Sequence, residues 1–517
     1  MSVEALRAYV EELLAIEGFP GLALAVTSRE ALLASETFGR ANLDAGMPVT
    51  RETYFQHGSI GKTFTAALLL QLREEGLVDL DEPVTRYLPW FEVRSEHGPI
   101  TIHHLLTHTS GLIMGADMTS DSRYDVWALR ETEVAVPPGE RYLYSNVAYR
   151  ALGFVVEEVT GLAYAETLRQ RILQPLGLEA TDPAIKNESR LRLAVGYQRS
   201  FDDRPARRSD PWVPATWLET GTGDGSVAGT VEDLAAFLRA LLNRGRGLMA
   251  PESFDLMATP AIEADDGWWY GYGLELRERD GRREIRHGGS MPGFGATMLG
   301  DLDAGLGVVL AVNAIDEQDV TEAIAEAVLG LYRDGTPPSV PDPLAVEDAG
   351  KYEGTYVGEA GRLQVRADGD RLFLGDAALE PRGRDRFLAD RPDLALFHLG
   401  FLQEDERVVA IAHGGDVYPR EGAAAPAAPA HPEEWSAYPG HYRAYNPWIS
   451  NFRVVLREDE LIVIYPWGDE WPLVSLPDGD FRLGREEWWP ERVRFDAIVA
   501  GTALLSTVAG EAYYRVA

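Results

Sequence analysis

Three short clusters in the chain hold side chains suited to acyl transfer. The first is Ser59-Ile60-Gly61-Lys62, within FQHGSIGKTFTAALLLQL. Residues three apart share one face of a helix, so the Lys62 amine falls beside the Ser59 hydroxyl. A serine alcohol is a weak nucleophile until a base takes its proton. The apolar run from Phe64 to Leu70 buries the pair, and burial makes a lysine easier to deprotonate. The serine falls at the helix start, where unpaired amides and the helix dipole favour developing negative charge. An N-cap serine followed by a surface lysine is the competing reading. Two further observations weigh on it. Lysine is scarce, standing only at 62, 186 and 351, and arginine cannot act as a base in a protein.

The second cluster is Tyr144-Ser145-Asn146, in PPGERYLYSNVAYRALG. A phenol relays a proton when a nearby cation lowers its pKa. A carboxamide grips a substrate amide through its donor and its acceptor. A helix N-cap at Asn146 is the structural alternative. The third cluster is His287-Gly288-Gly289-Ser290, in REIRHGGSMPGFGATML. Paired glycines after a strand let a substrate backbone come close. The Ser290 amide, with that of Ser59, supplies two donors for an oxyanion. A plain turn with an ordinary histidine is the alternative here.

The elements that must position these groups follow from patterning. GLALAVTS (21–28) and EALLASETFG (30–39) read as a strand pair. A helix runs from Ser59 to about Glu75, and another is capped by Asn146 and stopped by Gly161. Thr230 opens a further helix, with Asp233 at the capping-box position. Strands are expected near 270–277, 283–287, 295–301 and 306–313, followed by a helix over 319–332. Strands at both ends with helices between predict an antiparallel sheet flanked by helices.

Two Pro/Ala-rich stretches, GTPPSVPDP and GAAAPAAPAHPEE, read as linkers. They divide the chain into residues 1–334, a linker over 335–346, a small domain over 347–421, a second linker over 422–434 and a last domain over 435–517. Each small domain opens with Tyr-x-Gly-x-Tyr: Tyr352, Gly354 and Tyr356 in one, Tyr438, Gly440 and Tyr442 in the other. Alternating strands with no helix predict two small antiparallel β-barrels with tyrosines in their cores, and β-sandwiches are the alternative.

Composition sets outer limits. A chain of 517 residues is too long for one core. Its formal charge of −34 excludes nucleic acid and anionic membrane as partners. With no cysteine, disulfides and thiolate chemistry are ruled out. Excess acid with few lysines fits a salt-rich cytoplasm or a GC-rich genome equally. No export segment is visible in the opening MSVEALRAYVEELL, so a cytoplasmic location is the default. His103, His104 and His108 lack the Glu of a zinc-binding H-E-x-x-H helix, and no metal or cofactor is expected.

Taken together, Ser59-x-x-Lys62, Tyr144-x-Asn146 and His287-Gly288-Gly289 resemble, in order and rough spacing, the penicillin-recognising serine hydrolases. That superfamily includes class C β-lactamases, D,D-peptidases, esterases and D-aminopeptidases. LLTHTSGL (105–112), GSVAGTVEDLAAF (225–237) and PGFGATMLGDLDAGLGVVLAVN (292–313) extend the likeness over most of residues 1–334. The resemblance implies a β-lactamase-like catalytic domain in a multidomain α+β chain. Ser59 is then the acylated nucleophile, Lys62 and Tyr144 the acid–base groups, and Asn146, His287, Gly289 and Ser290 the substrate-binding set. His287 departs from the Lys-Thr-Gly usual in β-lactamases. A histidine with an ordinary pKa of about 6.5 is only partly charged, which disfavours substrates with a carboxylate there. The layout with two appended barrels is similar to D-aminopeptidases. Expected substrates are small peptides, amides or esters, with a homodimer open. An esterase, a β-lactamase or a non-turnover penicillin or peptide receptor are the alternatives. Acidic turns in the last domain, with Asp469, Asp478 and Asp480, are candidates for holding a substrate ammonium.

Overall fold

A computed structural model describes residues 3–115, 122–134, 136–264, 267–315, 320–336, 338–422 and 431–516. The chain forms two compact units, Met1–Gln198 with Trp212–Ser339 and Arg199–Pro211 with Val340–Ala517. Among the described residues no helix is long and apolar enough to cross a membrane.

The first unit is built on an antiparallel sheet. Its strands are β1 (Gly21–Ser28), β2 (Leu32–Asn42), β3 (Met47–Pro48), β4 (Ile262–Glu263), β5 (Trp269–Tyr270), β6 (Glu275–Arg279), β7 (Arg282–Met291), β8 (Phe294–Asp301) and β9 (Leu306–Val312). Their order is β3-β2-β1-β9-β8-β7-β6-β5-β4, so the two ends of the unit's sequence meet at the β1–β9 pair as the patterning predicts. The helices are α1 (Val3–Glu17), α2 (Gly61–Glu74), α3 (Asn146–Thr160), α4 (Val231–Leu242) and α5 (Val320–Asp334), with short ones between.

Strands β8 and β9 are nearly continuous apolar runs because both faces are covered. Gly300 and Gly307 pair across β8 and β9. A Cβ on either would press on Leu238 of α4. Thr297 has the opposite parity and bonds Thr321 of α5 on the other face at 2.9 Å. His287 pairs with Met298, whose parity matches Gly300, so its side chain points to the α4 face. Helix α2 lies there too, with Phe64 stacked on Phe237 of α4 at 3.8 Å. A helix buried on nearly every side explains the unbroken run TFTAALLL. Its two threonine hydroxyls bond inward, Thr63 to the Gly273 carbonyl and Thr65 to that of Gly223.

The second unit contains two eight-stranded antiparallel domains, as the alternating strands predict. In the first, strands from Gly354 to Pro419 follow one another in order, and a bridge between Tyr356 and Arg420 joins the ends. In the last, strands from Gly440 to Val516 close into a barrel through His441 and Val516. The repeated tyrosines sit in the cores. Tyr356 donates to the Tyr352 carbonyl at 2.7 Å, and Tyr442 to the Tyr438 carbonyl at the same distance. Their rings pack on Phe401 in one domain and on Phe452 and Phe495 in the other.

Composition did not signal one feature of the chain's path. Residues Arg199–Pro211 leave the first unit's sequence and join the second unit. Asp202 pairs with Arg443 and accepts, through its carbonyl, from Asn451. Arg207 pairs with Asp390 and Arg208 with Glu380, so this strap is tied to both barrels. The barrels also meet each other: Arg386 donates to the Gly468 carbonyl at 3.0 Å. Residues 423–430 of the second linker lie outside the described residues.

Candidate active site

Ser59 lies in a single 3-10 turn, Gly58–Ile60, that leads into α2 at Gly61. The α-helix therefore begins two residues later than the sequence suggested, and the serine sits at its N-terminal approach. Gly58 has φ of +52°, which favours glycine. A Cβ there would lie 2.6 Å from the Ser290 nitrogen, so the Ser59 turn is pressed against β7. A Cβ on Gly289 would strike the His57 carbonyl and come within 3.1 Å of the Ser59 nitrogen. Gly289 is thus required by the chain's own turn, and the glycine pair stands inside β7 rather than after a strand.

Lys62 is fully buried. Its amine lies 2.9 Å from Ser59 Oγ, 2.7 Å from Asn146 Oδ1 and 2.8 Å from the Asp224 carbonyl. The last two oxygens only accept, whereas a hydroxyl does either. An ammonium donates to all three. A neutral amine donates to Asn146 and Asp224 and takes the Ser59 proton on its lone pair. One geometry accommodates both forms, which is what a general base needs.

Helix α3 is capped by Ser145, not by Asn146. Ser145 has extended backbone, and its hydroxyl accepts from the Ala148 amide. Asn146 is the first helical residue, which releases its carboxamide to reach Lys62. Its oxygen is therefore engaged within the protein, leaving its N–H₂ for a substrate. Gly161 ends the helix with φ of +68°, as expected. At α4, Thr230 caps as expected, but the Asp233 carboxylate turns to the Ala180 amide and Thr181 hydroxyl, so the capping box stays open.

The Tyr144 hydroxyl faces Ser59, and its ring lies 4.8 Å from the Lys62 amine. Burial pushes the phenol above the ordinary tyrosine range, with the Ser59 side chain opposing. The side chain keeps some accessible surface, so the push is less than full enclosure would give. A phenol lowered by a nearby cation is the expectation from sequence; burial instead keeps this one neutral.

His287 is 2% exposed. Its Nδ1 lies 2.6 Å from the Gly288 carbonyl, so Nδ1 carries the hydrogen, and Nε2 accepts from the Tyr270 hydroxyl at 3.0 Å. Burial, then the Lys62 charge, lowers its pKa to about 3. The expectation of partial charge is corrected: His287 is a neutral imidazole closed behind Tyr270.

Other contributors escaped the sequence reading. Arg150, one turn beyond Asn146, is buried with Asp125 and Asp224 at 2.8 and 3.2 Å. This ion network holds the loop whose carbonyl receives Lys62. An arginine within the apolar face VAYRALGFVV was the available signal. Of the three early histidines, His104 forms a reciprocal cap with Thr101, His103 faces the Tyr272 hydroxyl at 2.8 Å, and His108 packs against Tyr144 with the rings tilted.

A family model described as beta-lactamase matches residues 6–331. Penicillin-binding protein 4 of Amycolatopsis lactamdurans is 29% identical over 374 residues, covering 66% of this chain and 94% of that protein. D-aminopeptidase of Gluconobacter oxydans (strain 621H) is 28% identical over 367 residues, covering 68% of this chain and 65% of that protein. The octameric penicillin-binding protein homologue from Pyrococcus abyssi is similar with a TM-score of 0.62 at 25% identity, covering 90% of this chain and 98% of that one. The match spans the whole of the first unit's sheet and the loops that bring Ser59, Lys62, Tyr144 and Asn146 together, and on it the chain belongs to the β-lactamase family.

Proposed function

We propose that the chain is an acyl-transfer hydrolase of the D-aminopeptidase type, releasing N-terminal residues from short peptides or amides. The carrying observation is the convergence of Lys62 on Ser59 Oγ, Asn146 Oδ1 and the Asp224 carbonyl. Ser59 Oγ attacks the acyl carbon and its proton passes to the neutral Lys62 amine. The oxyanion rests on the Ser59 and Ser290 N–H groups. Tyr144 gives its proton to the leaving nitrogen and is re-protonated from Lys62, so the amine departs neutral. Water then attacks the ester carbon and gives its proton to Lys62, which passes it to Ser59 Oγ as the acid departs, restoring the hydroxyl and the neutral amine. Asn146 offers its N–H₂ to the substrate carbonyl.

The neutral His287 supports this choice among acyl substrates. It supplies no cation for a carboxylate, so substrates without one at that position are favoured over penicillins. The same feature fits an esterase, which is the second reading. The D-aminopeptidase of Gluconobacter oxydans and the two-barrel layout favour the first. Of the acidic candidates for an ammonium, Asp469 already accepts from the Trp467 indole and Asp478 pairs with Arg492.

The experiment is a panel of D- and L-aminoacyl p-nitroanilides, short-chain p-nitrophenyl esters and nitrocefin. D-aminoacyl anilides should give the highest kcat/KM. Ester turnover without anilide turnover moves the assignment to an esterase. A stable Ser59 adduct without turnover makes the protein a receptor.

A further inference from the structure

His108 follows the short helix Ile102–Leu106 and holds φ of +57°, a left-handed conformation uncommon for residues other than glycine, though His adopts it more often than most. Such a conformation persists where neighbours over-determine it. Here three contacts converge on the segment carrying Tyr144. The His108 carbonyl accepts from the Leu143 amide at 2.7 Å. Its Nδ1 accepts from the Ser145 amide at 3.0 Å. Its ring lies 4.3 Å from the Tyr144 ring, centroid to centroid. One residue therefore grips the backbone on both sides of Tyr144 and packs on the ring between.

The chemistry of the grip is one-directional. A backbone N–H only donates, so Nδ1 must keep its lone pair and Nε2 its hydrogen. Nε2 has no protein acceptor among the described residues. The ring is enclosed by Tyr149 and Tyr270, at 5.0 and 4.7 Å. Leaving a buried N–H without an acceptor costs stability, so a residue kept in that state calls for a reason. Burial and the neighbouring Lys62 and His287 keep the imidazole neutral, which preserves the lone pair.

We infer that His108 is a positioning residue for Tyr144, fixing the height and plane of the phenol over Ser59 through both flanking amides and the ring. The inference rests on the reading of Tyr144 as the proton donor. Two substitutions separate its parts. His108→Phe keeps a ring and removes the acceptor. His108→Asn restores an acceptor at the same bonded distance from the backbone as Nδ1 and tolerates the left-handed conformation.

On a D-aminoacyl p-nitroanilide, or on an alkyl ester if the panel favours esters, the leaving group needs a proton, and His108→Phe should lower kcat about thirty-fold with KM within about two-fold, the scale of a misplaced catalytic group. His108→Asn should recover kcat to within about five-fold of wild type. In a Tyr144→Phe background, either substitution should cost less than about two-fold, because its route of action is gone. A folded His108→Phe enzyme with unchanged kcat overturns the inference. So does an equal loss in both backgrounds, or an Asn variant no better than Phe. If His108→Phe does not fold, the Asn variant in both backgrounds decides: a deficit that persists without the Tyr144 hydroxyl overturns it. A Tyr144→Phe enzyme with wild-type kcat removes the Tyr144 reading itself, whereas an impaired one beside an active His108→Phe removes only this inference.

Discussion

Two of the three lysines stand beside a tyrosine ring, one in the candidate active site and one in the first barrel. The Lys62 amine lies 4.8 Å from the Tyr144 ring and the Lys351 amine 4.6 Å from that of Tyr352. Their other partners differ. Lys351 is about one-third exposed and bonds the Asp385 carboxylate at 3.0 Å. The Tyr352 hydroxyl and that carboxylate hold it above the ordinary lysine range. Lys62 has no exposed surface and hydrogen-bonds hydroxyl, amide and carbonyl oxygens, with the Asp224 carboxylate near enough to attract it but not among these three bonds. A direct hydrogen bond to a carboxylate favours the cation, whereas burial favours the neutral amine. On the proposed mechanism, the same pair of residue types thus yields a surface clamp in one place and a base in the other.

Charge-preserving replacement tests this contrast most severely. Lys62→Arg keeps a cation that cannot accept a proton, so kcat should fall by about 10⁴ or more, as for Ser59→Ala. Lys351→Arg should leave kcat within about two-fold, since a solvent-facing ion pair tolerates the swap. If Lys62→Arg kept more than about a tenth of the wild-type kcat, Lys62 would not be the base.

The ion networks behind the two lysines give the next effect. Arg150 and Asp125 have side chains 1% and 3% exposed. Arg150→Met removes the guanidinium that two buried carboxylates share, at a cost of about 3–5 kcal/mol in unfolding free energy. Asp385→Asn keeps an acceptor for Tyr352 at a partly open site, and should cost under about 1 kcal/mol. Chemical denaturation of both variants measures the difference. Equal losses would mean that burial does not separate the two networks.

How far the sequence could reach follows from the same residues. Ser59 and Lys62 were legible because helical spacing alone brings them together, and the strands of both units because burial imposes their alternation. The partners of Lys62 depend on contacts across more than eighty residues of sequence, which no local pattern encodes. Asn146 was misplaced as a cap because Ser145 beside it caps equally well; only backbone angles distinguish them. His108 looked like part of a metal candidate because spacing between histidines shows nothing of the left-handed turn that aims one of them at Tyr144. The strap over 199–211 was hidden because FDDRPARRSDP reads as a solvated loop, and its charges acquire partners only from barrels that lie far along the chain.

Acid brings a smaller effect that spans both units. Burial lowers His57 and His287 in the first unit and His398 in the second to about 3. Their unfolded pKa is near 6.5, so between these values the unfolded chain binds protons that the folded chain refuses. Stability is therefore full above about pH 6.5 and falls as pH drops, by about 1.4 kcal/mol per pH unit for each histidine. His398→Leu should flatten that slope in the unfolding of the second unit and leave the first unchanged, as read by denaturant midpoints between pH 7 and 5. Because His287 stays neutral, kcat should show no inflection near pH 6.5. An inflection there that His287→Asn abolishes would restore a titrating third motif.

The smallest effect expected on ester turnover concerns the barrels, and it bears most on substrate. A hydrolase of about 330 residues does not need two further domains to fold. If the barrels select short peptides with a free ammonium, removing them should alter amides and spare small esters. The strap changes how that removal must be made. Cutting after Ser339 alone would leave Asp202, Arg207 and Arg208 without the partners they have in the second unit. The strap's ends are already adjacent: Tyr197–Arg199 and Trp212–Pro214 form a two-stranded sheet, and the Ser200 amide bonds the Pro211 carbonyl at 2.9 Å. A two-residue Asn-Gly turn can replace Phe201–Asp210 in the same protein. This shortened enzyme should hydrolyse p-nitrophenyl acetate within about three-fold of the full chain, because Ser59, Lys62, Tyr144 and Asn146 all belong to the first unit. Its kcat/KM on D-aminoacyl anilides should drop at least about ten-fold, with blocked N-acyl substrates newly accepted. Unchanged constants on every substrate would mean that the barrels do not shape selection, and the D-aminopeptidase reading would then lose the support of the two-barrel layout.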